Sequence, residues 1–369
     1  MNDDIAGQLL AKAMGWQESE SGELIDRFRK DLQLLSTYKY DFYQRFGPGQ
    51  RFIESLALWL QKFKPEHRQI ALDFVRDRLI YVSDAEFFHL VQCAYPDVVL
   101  PERMRLVAEE AGLPPHEVGR IAAHRRFTEL GVKSLYLGLS DGSRTSEIRR
   151  VSGDEISHEQ IWHAYELGAA KGKDLLAKLS QALKVKQLPH EDQRFTLVWL
   201  LDDFSGSGNS YIRLEKGMFE GKLTKAFRML HDNGLVNPLH YEVFLLLYIA
   251  TRQAVDHIEY WCERFTAENG YKPLQIRVIH LFEDGVAITP EKDEALQALI
   301  DESSYYDERA HTGHTDLGGT KDVRRGFANC CLPVVLCHNT PNNSIYLLWG
   351  EESFKFKGLF PRVSRHRDR

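Results

Sequence analysis

Residues 195–213 read FTLVWLLDDFSGSGNSYIR. Phe195 to Leu201 is apolar at every position but Thr196, which fits a strand buried on both faces of a sheet. Two acids, Asp202 and Asp203, close the run. A turn of small residues follows: Ser205, Gly206, Ser207, Gly208, Asn209 and Ser210. Such a turn can aim backbone N–H groups and hydroxyls at a phosphate, the more so if a helix starts just beyond it. Adjacent carboxylates can accept hydrogen bonds from sugar hydroxyls and help hold a hydrated Mg²⁺. The layout reads as a site for a phosphorylated sugar; the plainer alternative is a strand-to-helix turn with a capping Ser or Asp. No lysine follows the second glycine as a P-loop requires, and GSGNSY is not the dinucleotide fingerprint.

Outward from this stretch, strand and helix patterns alternate. Ser134–Leu139 reads as a strand, and Ser140, Asp141, Gly142, Ser143 and Arg144 as the loop after it. Ser157 can cap a helix running from His158 to Leu183, with Ile161, Tyr165 and Ala169 at four-residue spacing. Beyond the signature come a helix at Leu223–Asp232, an apolar run at Val243–Ala250 and a helix about Ala254–Phe265. A strand at Leu274–Phe282, a helix at Glu291–Tyr306 and a last buried strand at Leu332–Cys337 complete the pattern. This alternation predicts an α/β domain with a largely parallel sheet, and ligands of such sheets sit beyond the strands' C-terminal ends. The loop 311–329 holds metal-donor types in His311, His314 and Asp316 without a cysteine pair. It reads better as a segment closing over substrate, with Lys321, Arg324 or Arg325 near a departing anion, or as a plain basic loop.

Residues 1–125 look helical, with apolar spacings of three and four over Ile5–Met14, Glu23–Leu35, Phe52–Phe63 and Arg68–Leu79. Ser83 and Glu86 stand at capping-box spacing. The expected division is a helical accessory domain over 1–125, winged-helix or bundle, and a second domain over 126–369. Acids slightly outnumber bases in the first part, which favours docking or oligomerisation over a grip on nucleic acid. The net charge of −6 gives no global bias toward nucleic acid or anionic membrane. The basic end, Arg362 to Arg369, reads as a solvated tail. No apolar segment reaches spanning length and the N-terminus lacks a secretory core, so no membrane association and a cytoplasmic location are expected. Five cysteines without a C-x-x-C pair read as reduced thiols.

The signature resembles the phosphoribosyl-pyrophosphate (PRPP) motif of type I phosphoribosyltransferases. The resemblance implies that Asp202 and Asp203 face the ribose hydroxyls, with Mg²⁺ as cofactor held by both acids, in part through water. It places the 5-phosphate in the Ser205–Ser210 turn and the pyrophosphate at Asp141, Gly142, Ser143 and Arg144. Gly206 stands where many members carry threonine, and Asn209 also departs from the common pattern. LGLSDGSRTSEIRR (137–150), ISHEQ (156–160), LLDDFSGSG (200–208), HNTPNNSIYLLW (338–349) and LFPR (359–362) together resemble bacterial phosphoribosyltransferase-like proteins of anti-phage and other conflict systems. Some of these accompany retron reverse transcriptases, which implies an effector restrained by a reverse transcriptase and a non-coding RNA, with oligomerisation open.

Asn339, Asn342 and Asn343 are candidates for reading a base or amide on the acceptor, or else belong to a turn. No Ser-His-Asp or Cys-His set stands out, which suits chemistry at a sugar C1 carried by positioning and charge stabilisation. The other reading is a PRPP-sensing regulatory protein with a winged-helix N-terminus and no catalysis; a third is a catalytically dead fold used in assembly.

Overall fold

The computed structural model describes residues 3–16, 22, 31–189, 191–313 and 315–362. The expected helix at Glu23–Leu35, His314 and the basic tail therefore lie partly or wholly outside the described residues. Among those described, nine strands occur: β1 (Ile80–Val82), β2 (Ser134–Gly138), β3 (Ile161–His163), β4 (Leu197–Ser205), β5 (Arg213–Glu215), β6 (Met218–Glu220), β7 (Glu242–Thr251), β8 (Leu274–Phe282) and β9 (Val334–Leu336). They form a five-stranded sheet and two strand pairs.

The chain folds as two compact units, one of Phe87–Glu283 and one of Met1–Glu86 with Asp284–Arg369. These differ from the 1–125 and 126–369 division expected from the pattern of elements. The reason is a return of the chain: β9 pairs in parallel with β1, Ile80 opposite Val334 and Val82 opposite Leu336. The last buried strand thus belongs with the N-terminal helices. Trp59, Phe63, Tyr305, Phe356 and Phe360 share that unit's core. The helices Asp3–Met14, Phe52–Leu60 and Pro65–Asp77 lie close to where periodicity predicts them. No wing accompanies them: β1, the one strand among the described residues before β2, is paired parallel to β9. Ser83 and Glu86 do form the predicted capping box, each backbone N–H bonded to the other's side chain at 2.8 and 3.3 Å.

The second unit carries the five-stranded sheet, ordered β3-β2-β4-β7-β8 and parallel throughout. Alternation along β4 explains its central place. Val198 and Leu200 point to a core completed by Leu175, Leu179, Leu183, Phe227 and Leu230. On the other face Trp199 stacks on Phe244 of β7, centroids 4.3 Å apart. Burial on both faces is what an uninterrupted apolar run predicts. The edge strand β8 is only half-buried along most of its length and carries Gln275, Arg277 and His280, polar side chains that discourage pairing with another chain.

Two elements depart from expectation. Ser157 forms a capping box with Gln160, but it opens a 3-10 turn rather than a long helix. Ile161 then enters the edge strand β3, and the helix starts only at Ala169. The second departure follows the glycine turn, where the β5–β6 hairpin intervenes before a helix begins at Lys222. Lys216 and Gly217 at its tip both have positive φ, +50° and +80°, as a two-residue type I′ turn requires.

Candidate functional site

Numbered along the chain, the strands of the sheet run second, first, third, fourth, fifth, so the order reverses between β2 and β4. Ligands of open parallel sheets bind outside the C-terminal ends of the strands that flank such a reversal. The loop after β2 and the end of β4 meet there, and two contacts join them. The Ser140 hydroxyl donates to Asp202 Oδ1. Gly142 lies so close to Asp203 that a β-carbon at residue 142 would overlap Oδ2.

The two adjacent acids have opposite surroundings, because successive side chains of a strand point to opposite faces. Asp202 is fully buried. Its Oδ1 accepts from the Ser140 hydroxyl and, at 3.2 Å, from the Asp203 N–H. Its Oδ2 accepts from the Tyr211 hydroxyl at 2.7 Å and from the Lys222 ammonium. Four donors fill about four acceptor sites of a carboxylate. Burial holds the Asp202 carboxyl above its usual range, with the Lys222 ammonium opposing and the Asp203 charge reinforcing that shift. Burial, then the neighbouring Asp202, pushes Tyr211 well above the ordinary phenol value, so its O–H stays in place as a donor. Asp203 is half-buried, with Oδ1 taking the Phe204 N–H at 2.9 Å. The expected pair of ligand-facing acids is therefore divided: Asp202 serves the protein's own donors, and Asp203 sits against the β2 loop.

The turn after β4 is held from inside. The Gly206 carbonyl accepts from the Thr251 hydroxyl at 2.7 Å, and Thr251 in turn caps the helix Arg252–Asn269 through the Ala254 N–H at 3.0 Å. Gly208 has φ +79°, and a β-carbon there would lie 2.9 Å from the Ala254 carbonyl oxygen. That glycine is required by packing and backbone conformation whether or not a ligand is present. Ser205 and Ser207 are buried, and Ser205 Oγ has no hydrogen-bond partner among the described residues. Asn209 is half-buried and Ser210 exposed. No helix follows the turn directly, contrary to the arrangement that would best serve a phosphate. The helix at Lys222 spends its first N–H groups on the Ser210 and Tyr211 carbonyls, at 3.0 and 2.9 Å.

On the β2 side, Asp141–Ser143 forms one 3-10 turn. Ser143 is buried, its hydroxyl bonded to the Ser140 carbonyl at 2.7 Å. Asp141 Oδ1 accepts from Tyr165 at 2.9 Å. Arg144 adopts a left-handed backbone, lies 5.4 Å over the Phe87 ring and pairs with Glu147 at 3.6 Å.

The acceptor-side candidates belong to the other unit. Asn343 is buried, and its amide donates to the Phe327 carbonyl and to Cys330 Sγ, each at 3.3 Å. Asn339 Oδ1 takes the Thr340 N–H at 3.1 Å, and the Asn342 carbonyl takes the Phe327 N–H at 2.7 Å. The bond at Asn339 is local, and those at Asn342 and Asn343 tie the segment to the 327–330 loop. In the 311–329 loop, Arg325 makes a two-pronged pair with Asp301 at 3.0 and 2.6 Å, and Arg324 bonds the Asp301 carbonyl at 2.7 Å. Both are tied within their unit rather than free to screen a leaving group.

A magnesium ion shared by both acids does not fit Asp202, whose oxygens are taken by protein donors that include a cation. Binding through one carboxylate, with waters and substrate phosphates completing the shell, is compatible with Asp203. Among the described residues no three His, Cys, Asp or Glu side chains form a metal cluster.

Sequence reading missed Tyr211 and Lys222. Tyr211 lies in the quoted stretch but reads as core. Lys222 is delivered by a hairpin whose tip Lys216-Gly217 was the available signal.

A parallel α/β sheet whose order reverses beside an acid pair and a glycine turn is consistent with a type I phosphoribosyltransferase-like fold. The PRTase-CE family model matches residues 56–362, and the chain belongs to that family. No curated protein matches the chain, and no solved structure does. No helix among the described residues is long and apolar enough to cross a membrane.

Proposed function

We propose that the chain is a phosphoribosyltransferase-like effector of a bacterial anti-phage defence system. It binds PRPP, or a related ribose phosphate nucleotide, at the C-terminal ends of β2 and β4 and cleaves or transfers at C1. The observation that carries this reading is the meeting of the Asp141–Arg144 turn with Asp203 at the point of strand-order reversal. Family membership supports a ribose phosphate as substrate.

In the reaction the bond from C1 to the leaving group breaks, its electron pair going to the pyrophosphate oxygen of PRPP or to the base nitrogen of a nucleotide. Positive charge then builds on C1 and the ring oxygen, and an acceptor's lone pair closes the new bond. Asp203 would orient the ribose hydroxyls and lie near the developing cation. The serines of the 205–210 turn would take the 5-phosphate. Magnesium, when bound, would offset charge on the departing pyrophosphate and enter through Asp203 and water. The spaced motifs from 137 to 362 support the defence role, with a reverse transcriptase and its RNA as the restraining partners.

The test is release of pyrophosphate from PRPP by the full chain, with nucleobases, nucleotides and RNA as acceptors, alone and with a co-expressed reverse transcriptase and RNA. Release that disappears in Asp203→Asn is expected. Equal release by that variant would refute the site.

A further inference from the structure

Lys222 is a cation that nothing in the motif assigns, and its position is built rather than incidental. Its backbone N–H bonds the carbonyl of Ser210, the last residue of the small-residue turn, at 3.0 Å. Its ammonium reaches Asp202 Oδ2 and lies 4.9 Å over the Tyr211 ring. Asp202 is 0% exposed at its side chain, whereas Lys222 keeps 30% of its own in contact with solvent. An ammonium has three donors. One meets the buried carboxylate, and the partial exposure leaves the outer side of the group to other partners.

At the same strand end, Ser205 is 3% exposed with a hydroxyl that has no partner among the described residues. A buried hydroxyl without a partner costs free energy unless something supplies one. A ligand oxygen would do so.

The geometry points to Lys222 as the ligand-binding cation of this site, held by Asp202, with Asp203 as the carboxylate that faces the sugar. This rests on the donor-site reading above and deepens it. The ligand class is a pentose phosphate, with Lys222, on the Asp202 face of β4, donating to a phosphate oxygen and Ser205, on the Asp203 face, donating to another oxygen of the ligand. Asp202 is then a positioning residue that touches no ligand. A motif reading with both acids on the ribose predicts a loss of binding in Asp202→Asn; here that substitution frees the ammonium from its counter-charge.

The experiment is calorimetric titration of the full chain with ribose 5-phosphate, alongside thermal unfolding. Asp202→Asn is expected to bind within about threefold of the unmodified chain or more tightly. Lys222→Met combined with Asp202→Asn avoids a buried unpaired charge and is expected to lose about tenfold or more in affinity while remaining folded. Lys222→Arg should retain most of the affinity.

If Asp202→Asn alone loses as much as the double variant, or the double variant binds as the unmodified chain does, the assignment of Lys222 is wrong. Absence of binding by the unmodified chain overturns the donor-site reading and this assignment together.

Discussion

At the scale of single residues, the site turns on where two glycines allow close approach. Gly142 packs against Asp203 Oδ2, so Gly142→Ala should displace the carboxylate. A fall of about tenfold in ribose phosphate affinity is expected, with a small change in unfolding midpoint. Calorimetry paired with thermal unfolding checks both. Gly208 is a different case. Its φ of +79° and the nearby Ala254 carbonyl make Gly208→Val costly by roughly 2–4 kcal/mol, with or without ligand. Urea unfolding measures this directly, and a loss confined to ligand affinity would contradict it. From the sequence both glycines look like phosphate-loop residues; only the packing separates them. Asp202 and Asp203 likewise look equivalent in the chain, and strand alternation makes one a buried counter-ion and the other a half-exposed carboxylate.

At the scale of elements, the helix Arg125–Val132 leads into β2 and carries the buried Glu129. Burial would raise its carboxyl, but Lys133 and Arg126, each 3.0 Å away, hold it below the usual range. Its stabilisation is full above the unfolded value of about 4.3 and is lost as pH falls through the lower folded value. Glu129→Gln should therefore flatten the acid limb of stability against pH, measured by urea unfolding between about pH 3 and 6. A limb of unchanged steepness would rule the pair out.

The legible elements are those whose own residues decide them. β4 shows in the sequence as a long apolar run, β8 as apolar residues interspersed with Gln275, Arg277 and His280, and the Ser83–Glu86 capping box as a local pair. β3 is not legible, because three residues of an edge strand carry too little pattern to displace a helical reading. The β5–β6 hairpin hides for a similar reason: Arg213, Glu215 and Glu220 read as loop.

At the scale of the molecule, chain order and spatial units diverge. The 1–125 division follows the change of periodicity, but β9 returns to β1 over a separation no local pattern reports. Phe87–Glu283 holds the whole five-stranded sheet and its core. Expressed alone, that fragment is expected to unfold cooperatively and to retain ribose phosphate affinity within about tenfold of the full chain. Non-cooperative unfolding of the fragment in urea would contradict the division.

The central claim is that a phosphorylated pentose sits where β2 and β4 end. The most direct measurement is a crystal structure of the full chain soaked with PRPP and Mg²⁺. The expected result is ligand density against Gly142, Asp203, Ser205 and Lys222, with Asp202 still holding its four donors. Density at a different part of the fold, with that strand end unoccupied by ligand, would contradict the account.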